Sequence, residues 1–377
     1  MDFLDGIRGI AALVVVVEHA LESWVDGYTQ WSIDTINMGR VGIVAFFMVS
    51  GYVIGLTLTH QTIRTFAIRR FWRLYPVYWL ATIVWILVDL PNTNPFSAYS
   101  LFVVVANITM LQGAIPGLVG ILGPAWTLGA ELVYYIQTAA AKRVGLLRRS
   151  VYLGYGWLAV FVAMGIDNVA RGSTSTAIVP LMLFFASLGY SLYLRDANGS
   201  RTWIGLMGAA IVVVPALSLP LLSSQAPDQL SWSVIGFNAS HFVGIAVFLV
   251  ARALRSRSFP KTILWLGSVS YALYVIHASV IRGLEYADLP GVAAIPIVVV
   301  LSLASAWLLH RTLEVPSIAL GRRLSTRSAH PRFSNVGTAS AGPTVESSDS
   351  HQPVNALQPT GAPSSQSDPT SKGARHE

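Results

Sequence analysis

The sequence predicts an all-α, polytopic membrane helical bundle, on three observations. Hydrophobic residues fill 53% of the 377 positions and charged residues only 11%, mean hydropathy is +0.57, and long apolar runs recur from Gly9 to Val315. A soluble domain would carry about 25% charged residues. A bilayer crossing takes roughly 20 apolar residues, and in lipid a helix is the open form that satisfies its own backbone amides.

The first apolar run opens near Ile7, behind Asp2 and Asp5. It has no basic leader and no small-residue cleavage site, so it reads as a retained helix rather than a removed signal. Further runs open near Gly39, Leu74, Tyr99, Ala125, Ser150, Ala177, Trp203, Gly236, Thr262 and Gly291, eleven in all. If every run crossed from a cytoplasmic N-terminus, Arg64, Arg69, Arg70 and Arg73 would lie inside. Lys142, Arg143, Arg148 and Arg149 would then fall outside, together with Arg252, Arg255, Arg257 and Lys261. Cytoplasmic loops favour Lys and Arg, so that arrangement fails.

Letting the stretch from Tyr99 to Gly123 dip and return brings every basic loop inside, including Arg311, Arg322, Arg323, Arg327 and Arg332. Only Arg40, Arg171 and Arg282 then sit near the outer face. The stretch is short, holds Asn107 and Gln112, and runs into Gly113, Pro116, Gly117, Gly120, Gly123 and Pro124. Irregular backbone of that kind survives at membrane depth only when buried in protein or lining a cavity. The expected architecture is about ten transmembrane helices plus one re-entrant segment, in a multi-pass cell-membrane protein with both termini cytoplasmic. Residues 1–323 form its membrane domain. Residues 324–377 turn to Ser, Thr, Pro, Gly and Gln and read as a disordered cytoplasmic tail, too poor in apolar side chains to offset the entropy of ordering.

The chain has no cysteine, which removes disulfides, thiolate nucleophiles and cysteine metal sites, and no metal is expected. The net charge of +7 reads as a topology signal and not as a nucleic-acid surface.

Ionisable side chains are costly at bilayer depth, so those that occur there form the functional shortlist. Arg8 and His19 are eleven residues apart, about three helical turns, and so share one face roughly 16 Å apart along the axis. A snorkelling arginine and a packed histidine fit the same letters as a functional pair. Glu18 points about 100° away from His19 and fits either a supporting partner or a cavity residue. Trp126, Thr127 and Glu131 open the fifth run, where Glu131 is either functional or a helix-packing hydrogen bond. Ser270, Tyr274 and His277 recur at i, i+4 and i+7 and form one polar stripe. Counting inward from the membrane edges puts His19, Glu131 and His277 at similar depth. His241 has no polar company and reads as core or interfacial. Arg69, Arg70 and Arg73, followed by Trp72, Tyr75, Tyr78 and Trp79, fit a topology signal with interface anchors. The functional alternative is an anion site in which guanidinium forks grip phosphate and a ring stacks on a base.

Taken in order, these pieces resemble acyltransferase family 3, the membrane-bound O-acyltransferases of sugars, lipopolysaccharide, exopolysaccharide, Nod factors and macrolides. The resemblance runs from about Met1 to Arg323. It rests on Leu4-Asp5-Gly6-Ile7-Arg8-Gly9-Ile10-Ala11-Ala12 with His19, and on Phe46-Phe47-Met48-Val49-Ser50-Gly51-Tyr52. It continues through Arg70-Phe71-Trp72-Arg73-Leu74-Tyr75-Pro76, Trp126-Thr127-Leu128-Gly129-Ala130-Glu131, and Leu266-Gly267 with Ser270, Tyr271, Tyr274 and His277. The resemblance implies a membrane acyltransferase domain, with acyl-CoA, commonly acetyl-CoA, as co-substrate and no bound cofactor. It implies functional roles for Arg8, His19, Arg70, Arg73 and Glu131. Two departures stand out: Glu18 and Glu22 make the first helix unusually acidic near His19, and Leu132 replaces a frequent second acidic residue after Glu131.

The expected reaction moves an acyl group, most simply acetyl, from acyl-CoA to a hydroxyl of a carbohydrate, glycolipid or secondary metabolite. The expected partners are acyl-CoA, a hydroxylated acceptor (glycan, lipid-linked sugar or macrolide-like metabolite) and membrane lipid. His19 would act as base, or as an acyl carrier, with Glu131 orienting it. Arg8, Arg69, Arg70 and Arg73 would hold the donor phosphates, and Ser270, Tyr274, His277 and Trp126 would support the site. The alternative is a proton-coupled transporter or exporter, because intramembrane Glu and His also build proton relays.

Overall fold

A computed structural model describes residues 1–327 except 116–117, 119, 172–177, 224–232, 288 and 290; the tail expected beyond residue 323 therefore lies, from residue 328, outside the described residues. Among the described residues every regular element is helical. The chain runs through α1 (Asp2–Trp24), a short α2 (Tyr28–Asp34), α3 (Met38–His60), α4 (Ile63–Asp89), α5 (Pro95–Ala98) and α6 (Leu101–Ile108). It continues with α7 (Trp126–Arg143), α8 (Leu153–Arg171), α9 (Ile178–Asn198), α10 (Thr202–Gly208) and α11 (Val214–Ser223). Then come α12 (Val234–Ala253), α13 (Lys261–Tyr286), α14 (Ala294–Leu309) and α15 (Val315–Arg327).

Seven spans among the described residues are long and apolar enough to cross a bilayer: 38–60, 63–89, 147–167, 178–198, 234–253, 261–286 and 291–326. Three elements separate that number from the ten crossings expected. Helix α1 carries Asp2, Asp5, Arg8, Glu18 and Glu22, α7 carries Glu131, Lys142 and Arg143 within its 18 residues, and α10–α11 is a shorter apolar unit broken by a wide π-type turn at Ala209–Val213. All three pack among the seven: α1 against α13 and α3, α7 against α3 and α9, and α10 against α9.

Close packing in a membrane favours small residues at the helix contacts. A Cβ on Gly9 would strike the backbone of Leu266 and Gly267, and one on Gly267 the backbone of Asp5, so α1 and α13 nearly touch. Gly51 and Gly189 do the same for α3 and α9 against Ala186 and Met48. Three of these glycines fall within the runs that carry the family resemblance, and there they serve packing.

The two ends of the segment after α4 lie at the same end of the bundle. Asp89, at the end of α4, and Gly123 and Pro124, just before α7, line the same cavity, so the chain between them leaves and re-enters at one end of the bundle. Helix α6 is eight residues long and ends at Ile108, two residues before Met110, whose φ of 58° is left-handed. Its last carbonyls are satisfied by α4 side chains. The Tyr78 hydroxyl donates to Asn107 O at 2.7 Å, the Trp79 indole to Ile108 O at 3.0 Å, and the Tyr75 hydroxyl to Thr109 O at 3.0 Å. Asn107 and Gln112 complete the tie, bonding the Ile121 amide at 2.8 Å and the Ala125 carbonyl at 3.3 Å. Tyr75, Tyr78 and Trp79 thus hold the end of an unfinished helix.

At the opposite end the basic loops gather. Lys142 donates to the carbonyls of Leu58 and Gln61, and Arg252 and Arg255 both pair with Asp196, which also accepts from the Tyr52 hydroxyl at 3.1 Å.

Candidate active site

Two clusters form inside the bundle, joined by a narrow cavity. The first lies toward the end that carries α2 and the dipping segment. His19 Nδ1 lies 2.7 Å from Glu22 Oε2, one helical turn on. A carboxylate only accepts, so the imidazole donates from Nδ1 and leaves the Nε2 lone pair free. Across the α1–α13 contact the His277 ring stacks on that of His19, 5.5 Å between centroids and 9° from parallel. His277 is fully buried; its Nδ1 faces Leu273 O at 3.3 Å, and its Nε2 has no partner. Both histidines line a cavity of about 490 Å³ with Glu22, Trp85, Trp126 and Asp89 on its walls. Arg282 bonds Asp89 at 2.8 Å and Glu285 at 3.1 Å, and the Tyr286 hydroxyl donates to Asp89 at 3.1 Å, which fixes the rim.

The second cluster lies toward the basic end. Buried Glu131 accepts from the Ser50 hydroxyl at 2.6 Å. Arg8 is buried, 5.9 Å from the Phe46 ring centre, with its Nε unpartnered. Charge interactions link Arg8 with Glu131, Arg70 and Arg73. Arg70 donates to the Tyr135 hydroxyl at 3.2 Å and lies over the Tyr135 and Phe66 rings at 4.9 Å and 5.4 Å. Arg8 thus has one neighbouring carboxylate and two neighbouring guanidinium groups.

Between the clusters runs a narrow cavity of about 30 Å³, lined by Arg8, Phe46, Thr127, Ser270, Tyr271 and Tyr274. Tyr274 and Thr127 join their hydroxyls at 2.8 Å, and Tyr274 also donates to Pro124 O at 3.0 Å. Its ring lies 5.9 Å from that of His277, so the narrow cavity ends beside the histidine pair.

The structure therefore gathers most of the shortlisted residues but sorts them differently. The carboxylate at His19 is Glu22, and Glu131 bonds Ser50. Stepping one turn out from Tyr274 to His277 and one turn in from Thr127 to Glu131 sets His277 and Glu131 about 10 Å apart in depth. Arg69 stands apart from Arg70 and Arg73, donating to Ser325 Oγ of α15 at 3.1 Å. Ser270 lines the narrow cavity while bonding Gly267 O of its own helix at 2.8 Å, and Trp126 lines the larger one. Glu18 accepts from Tyr28 at 2.6 Å and Asn37 at 2.5 Å, a tie between α1 and the α2–α3 connection. His241 is core, with Nδ1 2.5 Å from Phe237 O and its ring between Phe237 and Phe185. Glu22, Ser50 and Tyr135 were not singled out for the site. Glu22 carried a signal all the same, because i and i+3 share a helix face.

The comparisons with known proteins agree on one family. A family model described as an acyltransferase domain matches residues 1–311. Acyltransferase MdmB of Streptomyces mycarofaciens is 24% identical over 365 residues, covering 85% of this chain and 92% of that protein. The exopolysaccharide production protein ExoZ of Rhizobium meliloti is 23% identical over 302 residues, 76% of this chain and 91% of ExoZ. Peptidoglycan O-acetyltransferase OatA of Listeria monocytogenes is 23% identical over 316 residues, 74% of this chain but only 49% of OatA. No solved structure matches.

Proposed function

The chain belongs to the acyltransferase domain family, and from that premise we propose that it moves an acyl group, most simply acetyl, from acyl-CoA to a carbohydrate hydroxyl across the bundle. The observation that carries this reading is the narrow cavity, with Arg8 at one end and Tyr274 beside the His19–His277 pair at the other. The cavity as it stands holds about two waters, so a donor with anionic phosphates and a long flexible arm would have to part its walls to reach His19. Arg8, Arg70 and Arg73 would hold the phosphates by charge-assisted bonds, and the arm would lie along the apolar walls toward His19. By the preference of basic loops for the inner face, that end would lie in the cytoplasm with both termini, and the acceptor would enter the 490 Å³ cavity from the far face.

In the transfer, the Nε2 lone pair of His19 takes the proton of the acceptor hydroxyl as its oxygen attacks the thioester carbonyl. The C–S bond breaks, the ester forms, and the proton passes from His19 to the departing sulfur, so that the products are ester and free thiol. Glu22 holds the imidazole in the required tautomer and offsets its transient positive charge, the part played by the carboxylate in a serine-protease triad. Relatives named for peptidoglycan and exopolysaccharide favour a glycan acceptor.

Membranes containing the protein, incubated with acetyl-labelled acetyl-CoA and an extract of surface glycans and secondary metabolites, should transfer label to one component. His19→Ala should abolish that transfer with the protein still folded. Label transfer that survives His19→Ala would overturn the reading.

A further inference from the structure

A cavity of about 950 Å³ at the basic end of the bundle is used by neither cluster described above. Three of the apolar spans meet in it: 38–60 and 178–198 close on His60 and Asn198, and 147–167 opens on Leu147, all on its wall. Spans that stop together mark the boundary between hydrocarbon and headgroups, so the cavity lies at headgroup depth. Its basic lining follows from one turn. Helix α7 closes at Gly145, whose φ of 76° is left-handed, with the Gly145 amide on Lys142 O at 3.1 Å and the Leu146 amide on Ala141 O at 2.7 Å. That turn brings Arg148 and Arg149 onto one wall with Lys142 and His60. The Tyr190 hydroxyl donates to Leu147 O at 2.9 Å and the Tyr193 hydroxyl to Thr59 Oγ1 at 3.3 Å, which ties both sides of the cavity to α9.

The protein does not balance the charge gathered there. Among the described residues no Asp or Glu lines the cavity, and no ion pair involves Lys142, Arg148 or Arg149. Asp196 of α9 is taken up by Arg252 and Arg255. Lys142 donates to the carbonyls of Leu58 and Gln61, which leaves one N–H of its ammonium for a ligand. Leu146, Tyr152 and Leu153 expose apolar side chains along the same stretch of chain. We propose that this cavity binds the headgroup of an anionic phospholipid, with Lys142, Arg148 and Arg149 on the phosphate and the acyl chains along Leu146, Tyr152 and Leu153. Basic pockets between helix ends on the cytoplasmic side hold such headgroups. The site goes beyond the acyl-transfer reading and does not depend on it.

The test uses the full-length protein, delipidated in neutral detergent and titrated with phosphatidylglycerol or phosphatidylcholine of the same acyl chains, with bound lipid counted by native mass spectrometry. Inorganic pyrophosphate and free CoA serve as phosphates without a lipid. The wild type should bind one phosphatidylglycerol about tenfold more tightly than phosphatidylcholine, and neither soluble phosphate should displace it. Arg148→Gln combined with Arg149→Gln should weaken phosphatidylglycerol by about ten- to thirtyfold and leave phosphatidylcholine unchanged. Arg148→Lys combined with Arg149→Lys keeps both charges and should retain most of the affinity. Arg322→Gln combined with Arg323→Gln removes the same charge from exposed positions on α15 and should bind lipid as the wild type does. Equal affinity for the two lipids, full affinity in the Arg148 and Arg149 glutamine variant, or an equal loss in both glutamine variants would overturn the inference. Displacement of the lipid by CoA or pyrophosphate would overturn it too, by assigning the cavity to a soluble phosphate. All of these outcomes are read from binding, so they leave the acyl-transfer reading to its own test.

Discussion

His19 and His277 stack 9° from parallel across the contact between α1 and α13, a contact that exists because Gly9 and Gly267 let the two backbones meet. The pair is therefore set by packing several turns away from it. Stability and chemistry are coupled here, and they can be separated by substitution.

Glu22→Gln tests which carboxylate serves His19. The amide keeps the size of the group but loses the charge that balances an imidazolium, and it can flip to present a donor to Nδ1. We expect kcat to fall by about 10²- to 10⁴-fold, the range of general-base catalysis, with the KM for acetyl-CoA unchanged. Glu131→Gln should instead disturb donor saturation, because Glu131 sits with Ser50 and Arg8. Steady-state rates at varied acetyl-CoA read both; a Glu131 variant that loses kcat alone would return Glu131 to the histidine.

The arginine run divides in the same experiment. Arg70→Gln and Arg73→Gln should each raise the KM for acetyl-CoA about ten- to hundredfold, as expected for loss of a charge-assisted hydrogen bond. Arg69→Gln removes a bond to Ser325 and should shift donor KM by less than about threefold. Equal effects at all three positions would mean that the basic end attracts the donor by its general field alone.

Packing can be tested without touching the site. A methyl group on Gly51 would enter the Ala186 backbone, whereas one on Gly283 would meet only Val88 at 3.8 Å. Gly51→Ala should cost about 1–3 kcal/mol and lower the melting temperature in detergent, and Gly283→Ala should leave it unchanged or slightly raised. Equal melting temperatures for the two variants would contradict the close approach of α3 and α9.

Much of this was legible in the letters, for a physical reason. Hydropathy marked the long helices, and the basic loops marked the one run whose two ends lie at the same end of the bundle, because both are one-dimensional signals that lipid enforces strongly. The shared face of Arg8 and His19 follows from helical spacing alone. Depth across helices does not follow: Glu131 is on the expected helix, but the 3₁₀ turn at Gly123–Ala125 decides where α7 starts, and that moves its carboxylate toward Arg8. The aromatic run Tyr75, Tyr78 and Trp79 was ambiguous for a related reason. Its partners are backbone carbonyls of α6, and a carbonyl left open by a broken helix has no signature in side-chain letters.

The dip itself has a direct test, since the chain has no native cysteine and single cysteines can be introduced without background. Asn92 and Gly123 are exposed on either side of the dipping segment, and a side chain at Gly123 would meet nothing within 4 Å. Val144 and Arg257 are exposed at the basic end. In intact cells a membrane-impermeant maleimide should label Asn92→Cys and Gly123→Cys alike, and should reach Val144→Cys and Arg257→Cys only after permeabilisation. If residues 99–123 crossed the bilayer, Asn92→Cys and Gly123→Cys would label from opposite sides. Labelling of Val144→Cys in intact cells would turn the whole bundle over, placing the arginine cluster outside, away from the cytoplasmic pool of acyl-CoA on which the proposed transfer depends.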